Sequence, residues 1–370
     1  MSRVFFHVQH LLGIGHIRRA AVLARTLAAS GFDVLLVSGG APLSLDLGRA
    51  RFHQLPPVRA RDEGLRELSR LDGSPLVDAF RIERTRRLLE LFHAEAPDVL
   101  ITEQFPFGRT QLRFELLPLL DAAQARRPKP LIVSSVRDIV RRSMSPQRVQ
   151  QAVDLCQRFD LILIHGDPAL IGFGRSFAGW EAIRTRAAYT GYIAENDGRT
   201  AEDGMNEVLV SVGGGAVGAP LFRAAAEART RGTLADRAWR LLVGANLAGA
   251  VDGTDGMIVE PARPDFRALL RNATLSISQA GYNTVVDTLC CAERAVLVPF
   301  GTDRETEQTD RALWLAERGI VACVPALELS AVTLSAAVDR AMRGPPIRSF
   351  PPCDINGAAA TAALLHRRLS

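Results

Sequence analysis

Ser-Gln-Ala-Gly-Tyr-Asn-Thr-Val-Val-Asp, residues 278–287, follows a short apolar segment at residues 275–277 and opens a segment with helical spacing. Small residues and a glycine at a strand-to-helix turn allow backbone N–H groups to approach a ligand closely. The N-terminus of the helix adds a partial positive charge that favours phosphate. Asp287 would lie about one and a half turns into this helix, where its carboxylate can reach a sugar hydroxyl. The stretch therefore predicts a strand–turn–helix site for a sugar nucleotide.

Apolar strand candidates alternate with helical segments along the rest of the chain. In the first half they are residues 4–8, 34–38, 99–102, 131–134 and 161–164. In the second half they are residues 208–212, 240–243, 257–259, 275–277 and 295–299. Short, continuously apolar strands between helices are typical of parallel sheets covered on both faces. The sequence predicts an α/β protein with two Rossmann-like, doubly wound domains, which bind ligands at the carboxyl ends of their strands.

A polar and acidic segment at residues 190–206 separates the two series and is the candidate linker. We expect an N-terminal domain over residues 1–195 and a second domain over residues 196–350. Residues 351–370 would add a helical tail that can pack back toward the N-terminal domain. With two such domains facing each other, the cleft between them is the expected ligand site.

The charge of the chain comes mainly from arginine. The 370 residues carry a net charge of +5, and Lys129 is the one lysine. Arginine grips phosphates bidentately, which would suit an anionic substrate, but a coding bias toward arginine is the explanation we favour. No module that combines basic and aromatic residues for nucleic acid is visible, so we expect no nucleic-acid partner.

Composition also predicts the compartment and the state of the cysteines. No apolar run reaches the roughly 18–20 residues needed to span a bilayer, and the first residues enter a strand pattern without a signal peptide. We expect a cytoplasmic protein, with peripheral contact at the inner face of the membrane as an alternative. The five cysteines form no CxxC pair and no zinc spacing. We therefore predict reduced cysteines, with neither a disulfide framework nor a cysteine zinc site.

The turn after the first strand, HLLGIGH at residues 10–16, is the first of three glycine-containing turns. Gly13 and Gly15 permit a tight backbone and close approach of a ligand. His16 lies where the helix begins, and an imidazole there can act as a general base near neutral pH. The alternative is a capping histidine. A third glycine is missing, and no acidic residue ends the second strand, which argues against NAD.

The second and third turns belong to the second half of the chain. In SVGGGAVG, residues 211–218, the glycines Gly213, Gly214 and Gly215 would present backbone amides to an oxyanion. The absence of a following Gly-Lys-Ser/Thr excludes an ATPase P-loop, and a flexible turn is the alternative. Beyond the stretch at 278–287, Gln308 falls near the start of the next helix, within reach of the same sugar.

Together these turns resemble the GT-B glycosyltransferase superfamily, and most of all its MurG-like, family-28 branch. Residues 278–312 carry the strongest similarity, and the two other turns are similar to the glycine-rich loops that open the family's two domains. The resemblance implies two domains facing across a cleft, a nucleotide-sugar donor, expected to be a UDP-sugar, and no metal or further cofactor. The loop at residues 211–218 lacks the Ser-Gln-Gly-Ala pattern of the peptidoglycan enzymes, which weighs against their acceptor.

The resemblance also implies roles for individual residues. Asp287 falls where the family has an acidic residue on the donor ribose, and Glu307 and Gln308 fall at its paired glutamines. Gln279 replaces the family's arginine, so the resemblance does not specify which sugar the donor carries. The implied donor-binding residues are Gly213, Gly214, Gly215, Ser278, Ala280, Gly281, Asn283, Thr284, Asp287, Glu307 and Gln308.

We predict transfer of a sugar from the donor to an acceptor bound by the first domain. The acceptor can be a small molecule, a glycan or a lipid-linked molecule. His16 and Glu103 are the candidate bases, and if both act, Glu103 orients the imidazole of His16; an ion pair with a nearby arginine is the alternative for Glu103. The acceptor-side candidates are Gly13, Gly15, His10 and Arg109. The competing functions are a nucleotide-sugar hydrolase or 2-epimerase, and a non-catalytic nucleotide-sugar-binding protein.

Overall fold

Apolar strands form the centre of each half of the chain. The computed structural model describes residues 1–11, 13–61, 67–140, 144–195, 198–212, 218–244, 256–301 and 306–370. The chain divides into two compact units: the first contains residues 1–195 and 354–370, and the second residues 196–353. The second unit thus extends to Cys353, where the sequence suggested residue 350.

The first unit is built around a parallel sheet. Its strands are β1 (Arg3–Val8), β2 (Asp33–Ser38), β3 (Arg51–Gln54), β4 (Val58–Ala60), β5 (Leu68–Arg70), β6 (Val99–Glu103), β7 (Leu131–Arg137), β8 (Leu161–His165) and β9 (Ala187–Tyr189). Seven of them pair in the order β3-β2-β1-β6-β7-β8-β9, while β4 and β5 form a separate antiparallel pair. The inner strands are buried on both faces, as expected from their continuous Val, Ile and Leu content.

Helices cover both faces of this sheet. They are α1 (Gly15–Ala29), α2 (Asp78–Glu95), α3 (Arg113–Ala125), α4 (Pro146–Cys156), α5 (Trp180–Ile183) and a C-terminal helix (Gly357–Leu369). α1 and the C-terminal helix bury Leu23, Leu27 and Leu365 against one face, and α2 and α3 bury Phe92 and Leu116 against the other. The C-terminal helix is fixed to the start of the chain, since His366 stacks on Phe32 with ring centroids 4.3 Å apart.

The second unit repeats this plan with six strands and five helices in the described part of the chain. Its strands are β10 (Val208–Ser211), β11 (Trp239–Val243), β12 (Met257–Pro261), β13 (Leu275–Ser278), β14 (Ala295–Leu297) and β15 (Ala322–Cys323). Its helices are α6 (Ala219–Ala228), α7 (Phe266–Asn272), α8 (Tyr282–Cys291), α9 (Glu307–Glu317) and α10 (Ala331–Arg343). The parallel strands pair in the order β12-β11-β10-β13-β14-β15.

In both sheets the order in which strands are added reverses beside the first strand of the unit. In the first unit the chain builds β2 and β3 on one side of β1 and then adds β6 on its other side. In the second unit β11 and β12 lie on one side of β10, and β13 lies on the other. The loops that leave two such strands diverge, which opens a crevice at the strands' carboxyl ends. Each unit therefore has one predicted ligand site, at β1/β6 and at β10/β13.

The α/β class and the two doubly wound sheets agree with the sequence prediction. The prediction missed the short strands β3, β4, β5, β9 and β15, which are half-exposed or only two to four residues long. It also ended β7 at residue 134, whereas the strand continues to Arg137. In the described residues, no helix combines the length and the apolar character needed to cross a bilayer.

Candidate active site

The crevice of the first unit brings together two residues that are 87 positions apart in sequence. His16 is the second residue of α1, directly after the turn that leaves β1, and Glu103 is the last residue of β6. β1 and β6 are hydrogen-bonded neighbours, with His7 opposite Thr102. His16 Nδ1 lies 2.6 Å from Glu103 Oε1. The two predicted catalytic side chains therefore form a hydrogen-bonded pair.

The carboxylate of this pair is also bound by an arginine that the sequence analysis did not single out. Arg19 Nη2 donates to the same Oε1 atom of Glu103, and both side chains are almost wholly buried. Burial opposes ionisation of Glu103, but the hydrogen bond from His16 and the charges of Arg19 and Arg109 hold the pKa of its carboxyl well below its ordinary value. Arg19 follows His16 by three residues on a helix, a spacing that places both side chains on one face.

A second arginine contacts the other nitrogen of the imidazole. Arg137, at the end of β7, places Nη2 2.8 Å from His16 Nε2. A guanidinium has only donors, so Nε2 must be the acceptor in this contact. The ring proton therefore resides on Nδ1 and is donated to Glu103. His16 is thus a neutral imidazole whose basic lone pair is on Nε2.

The environment keeps this imidazole neutral. Burial, followed by the positive charge of Arg137, lowers the pKa of His16 well below its ordinary value, and the opposing charge of Glu103 does not reverse this. The side chain of His16 nevertheless retains 13% of its exposure, whereas Glu103 retains none. His16 can thus meet a ligand, while Glu103 acts on it from the interior.

His10 and Arg109 lie beside the pair. Arg109 Nε donates to the carbonyl of Gln9 at 2.8 Å, and burial and the charge of Arg109 lower the pKa of His10. The positive charge of Arg109 also contributes to lowering the pKa values of His16 and Glu103. Arg109 and Gln104 both adopt positive φ values, 60° and 66°. Left-handed backbone is uncommon outside glycine and concentrates at functional sites, so the loop after β6 carries local strain.

Gly13 and Gly15 are the two glycines for which the sequence predicted a tight backbone and close approach of a ligand. Gly13 does not adopt a left-handed conformation, and a Cβ atom built on it would meet no described atom within 4 Å. Gly15 is the first residue of α1 and is exposed. At Gly13, the missing side chain leaves open space next to the start of α1 and relieves no clash.

The crevice of the second unit contains the strand–turn–helix unit at residues 275–291. Ser211 at the end of β10 pairs with Ser278 at the end of β13. α8 begins at Tyr282 after Gly281, where an added Cβ would meet only Thr284 Oγ1, at 4.0 Å. Asn283 and Thr284 lie in the first turn of α8 and are half-buried. The predicted helix start is present, whereas Gly213, Gly214 and Gly215 lie outside the described residues.

Gln308 has a contact that the sequence did not predict. Its Oε1 accepts hydrogen bonds from two backbone amides, Ala280 N at 3.1 Å and Phe300 N at 3.2 Å. Arg311, three residues later on α9, donates to the carbonyl of Ala280 at 2.9 Å. Gln308 therefore connects the turn before α8 to the loop after β14 by hydrogen bonds. The amide of Ala280 already has Gln308 as its hydrogen-bond acceptor. Glu307, its neighbour, is buried.

Asp287 lies on α8, five residues after Tyr282, which is about 7.5 Å along the helix axis. Its Oδ1 is 3.6 Å from Arg267 Nε, and its side chain keeps 23% of its exposure. The carboxylate is thus accessible and faces an arginine of α7. Among the described residues, no group of three or more His, Cys, Asp or Glu side chains converges as metal ligands.

Comparison with known proteins identifies one domain of the chain and its fold. Residues 209–349 match the model of the glycosyltransferase family 28 C-terminal domain. A comparison with curated proteins found no significant match. A solved structure of a calicheamicin glycosyltransferase is similar to the chain with a TM-score of 0.68 and 18% identity, over 100% of this chain and 98% of the other.

Two further structures share the fold at full length. MurG of Acinetobacter baumannii has a TM-score of 0.61 and 14% identity, with 99% of both chains covered. A spinosyn rhamnosyltransferase complexed with thymidine diphosphate has a TM-score of 0.65 and 17% identity, with 100% of both chains covered. The fold is that of GT-B glycosyltransferases, and residues 209–349 match the C-terminal domain of glycosyltransferase family 28. Both predictions from the sequence are confirmed.

Proposed function

We propose that the protein transfers a sugar from a nucleotide-diphosphate-sugar donor, held by the second unit, to a hydroxyl of an acceptor held by the first. The observation that carries this proposal is the hydrogen bond of 2.6 Å between His16 Nδ1 and Glu103 Oε1, in the crevice at the carboxyl ends of β1 and β6. A neutral imidazole fixed by a carboxylate is the arrangement required of a general base. The relatives add support, since the spinosyn rhamnosyltransferase was solved with thymidine diphosphate and also with the spinosyn aglycone.

In this mechanism His16 accepts the proton of the acceptor hydroxyl on Nε2. The oxygen forms a bond to the anomeric carbon of the donor sugar while the bond from that carbon to the diphosphate breaks. His16 becomes an imidazolium, and the buried carboxylate of Glu103 stabilises its charge through Nδ1–H. Removal of either side chain should therefore slow the chemical step with little effect on donor binding.

The leaving nucleoside diphosphate carries away the electron pair and its negative charge. The N-terminus of α8 supplies a partial positive charge suited to a phosphate. Gly281 directly precedes this helix, and Asn283 and Thr284 lie in its first turn. We assign the ribose to Asp287 and expect uridine as the base. The amide of Ala280, which is bonded to Gln308, is not included among the phosphate donors.

A screen of nucleotide sugars by thermal shift tests the proposal directly, because a specific ligand stabilises the folded state by mass action. The stabilising donor is then incubated with the protein, with and without a panel of small alcohols, and the products are analysed by mass spectrometry. Transfer of the sugar to an alcohol supports the proposal. Free sugar or an epimer formed equally fast without an alcohol would indicate a hydrolase or an epimerase. Binding without any turnover would indicate a non-catalytic binding protein.

A further inference from the structure

The last turn of α8 contains a cysteine that contacts two arginines of α7. Cys291, the last residue of α8, is half-buried, and its sulfur lies 3.5 Å from Arg267 Nε and 3.6 Å from Arg271 Nη1. Arg267 and Arg271 are four residues apart in sequence, so they lie on one face of α7. A short helix thus brings two positive charges to one sulfur atom.

The two contacts suit the thiolate form of this cysteine. A guanidinium has only donors, so the sulfur of Cys291 is the acceptor in both hydrogen bonds. A thiol is a weak acceptor, whereas charged donors bind an anionic acceptor strongly. The C-terminal end of α8 opposes a negative charge, but its dipole is equivalent to only about half an elementary charge, against two guanidiniums. Because the thiolate is the nucleophilic form of cysteine, Cys291 is placed to react with electrophiles.

Three other cysteines have the opposite environment. Burial raises the pKa of the Cys156 thiol to about 12 and that of Cys323 to about 11. Cys290 Sγ lies 3.8 Å from Cys353 Sγ, and this contact, together with burial, raises the pKa of Cys290. These three thiols therefore stay protonated near neutral pH, where Cys291 is expected to react.

The arginines also indicate which electrophile suits the site. Arg267 is only 8% exposed; its Nε also lies 3.6 Å from Asp287 Oδ1, and its Nη1 is buried and donates to no acceptor among the described residues. Arg271 is exposed, and its Nη2 donates to the carbonyl of Arg199 at 2.7 Å. A buried charged donor without an acceptor costs free energy, and carboxylates are among the strongest partners of a guanidinium. The site therefore favours a ligand with a carboxylate near its reacting atom.

We propose that Cys291 is a modification site that forms a mixed disulfide with a small disulfide carrying carboxylate groups. The thiolate attacks one sulfur of the ligand, and a new S–S bond forms while the S–S bond of the ligand breaks. The leaving half departs as a thiolate with the electron pair and takes a proton from water. Cys291 is thereby oxidised and the leaving half reduced, and an added thiol reverses the exchange.

Intact-mass spectrometry with glutathione disulfide tests this site in the full-length protein. We expect one adduct, which peptide digestion maps to Cys291 and dithiothreitol removes. Cys291→Ser should form no adduct, whereas Cys323→Ser, a control at another half-buried cysteine, should react like the wild type. An unmodified wild type, or an adduct that persists in Cys291→Ser, would refute the site. A loss of two hydrogens without an adduct would also refute it, because the oxidation would then join Cys290 to Cys353.

The charge of the reagent tests the part played by the arginines. Exchange rates are measured with glutathione disulfide, 2-hydroxyethyl disulfide and cystamine, which are anionic, neutral and cationic. Each rate is divided by that of the same reagent with N-acetylcysteine amide, a small neutral thiol. The corrected rates should fall in this order, by about tenfold or more from first to last.

Two variants complete the test of charge. Arg271→Gln should reduce the preference for the anionic reagent by about threefold or more. Arg223→Gln removes an exposed arginine of α6 and should keep the wild-type preference. Equal corrected rates for the three reagents, or a wild-type preference in Arg271→Gln, would refute recognition of a carboxylate. All these measurements are made without a nucleotide, so their outcome does not depend on whether the protein transfers a sugar.

Discussion

Replacing Glu103 with glutamine should destabilise the first unit by about 3 kcal/mol. Removing one partner of a buried ion pair costs about 3–5 kcal/mol, because the remaining charge stays buried without compensation. Here the ion-pair partner is Arg19, whose side chain is almost as fully buried as that of Glu103. Glutamine keeps one carbonyl oxygen that can accept from His16 or Arg19, so the cost should fall at the lower end of the range.

Chemical denaturation followed by circular dichroism measures this cost. The chain divides into two compact units, so the unfolding curve is fitted with two transitions. We expect Glu103→Gln to shift the transition of the first unit and to leave that of the second unit unchanged, which provides an internal control. The second unit is assigned by its stabilisation on addition of the nucleotide that binds it.

The pH dependence gives a second test with a defined sign. The pKa of Glu103 is depressed in the folded protein, so the stability that its ionised form contributes is present above its ordinary pKa of about 4.5 and is lost as pH falls below it toward the folded pKa. The difference in unfolding free energy between the wild type and Glu103→Gln should therefore be constant from pH 6 to 8, at about 3 kcal/mol. It should shrink below about pH 4.

A double-mutant cycle with Arg19→Met decides whether the buried charge of Arg19 causes the loss of stability in Glu103→Gln. If it is, the double variant should be more stable than the sum of the single effects predicts, by about 1 kcal/mol or more. Strictly additive effects, or a cost below about 1 kcal/mol for Glu103→Gln, would show that Arg19 finds solvent or another partner. In that case the assignment of Glu103 and Arg19 as a buried charge pair would be wrong.

Three further predictions concern both crevices. His16→Ala should lower the transfer rate by about 10²–10⁴-fold, the usual contribution of a general base, while the donor Kd from calorimetry stays constant; an active variant would remove the base assignment. Asp287→Ala should weaken nucleotide binding at least about tenfold in the same calorimeter, since a hydrogen bond to a charged group contributes about 1.5–3 kcal/mol, and unchanged affinity would exclude the ribose role. Gln308→Leu should destabilise the second unit by about 2–4 kcal/mol in urea, because it leaves the amides of Ala280 and Phe300 without their acceptor; a neutral effect would contradict the fastening role.

The sequence predicts the elements that depend on local pattern. The turn from β13 into α8 was located from a short apolar strand, a glycine and a helical run within residues 275–291, all of which are neighbours in the chain. The pairing of His16 with Glu103 could be anticipated, because His16 follows the turn after β1, Glu103 ends β6, and such a topology places these strand ends side by side. The contact of Gln308 with Ala280 and Phe300 could not be predicted from the sequence, since it depends on how two loops approach each other in space.

The end of β7 shows why part of the site could not be predicted from local pattern. Ser134 and Ser135 looked like the end of a strand, yet their hydroxyls are buried and satisfied: Ser134 Oγ donates to Phe105 O at 2.7 Å, and Ser135 Oγ lies 2.8 Å from His165 Nε2. A hydroxyl with a buried partner can continue a strand as well as an apolar residue can, but the partner comes from a distant loop or strand and leaves no local pattern.

The extra length of β7 determines the chemistry of the base. Three more residues in the strand carry Arg137 to the carboxyl edge of the sheet, where its guanidinium meets the imidazole of His16. That contact fixes the tautomer, since a donor on Nε2 requires the proton on Nδ1, and it reinforces burial in keeping the imidazole neutral. The residue that prepares His16 as a base is therefore also the residue that blocks its lone pair. A hydroxyl that donates to Nε2 has to replace the N–H of Arg137 there, while Glu103 holds the tautomer from the other side of the ring.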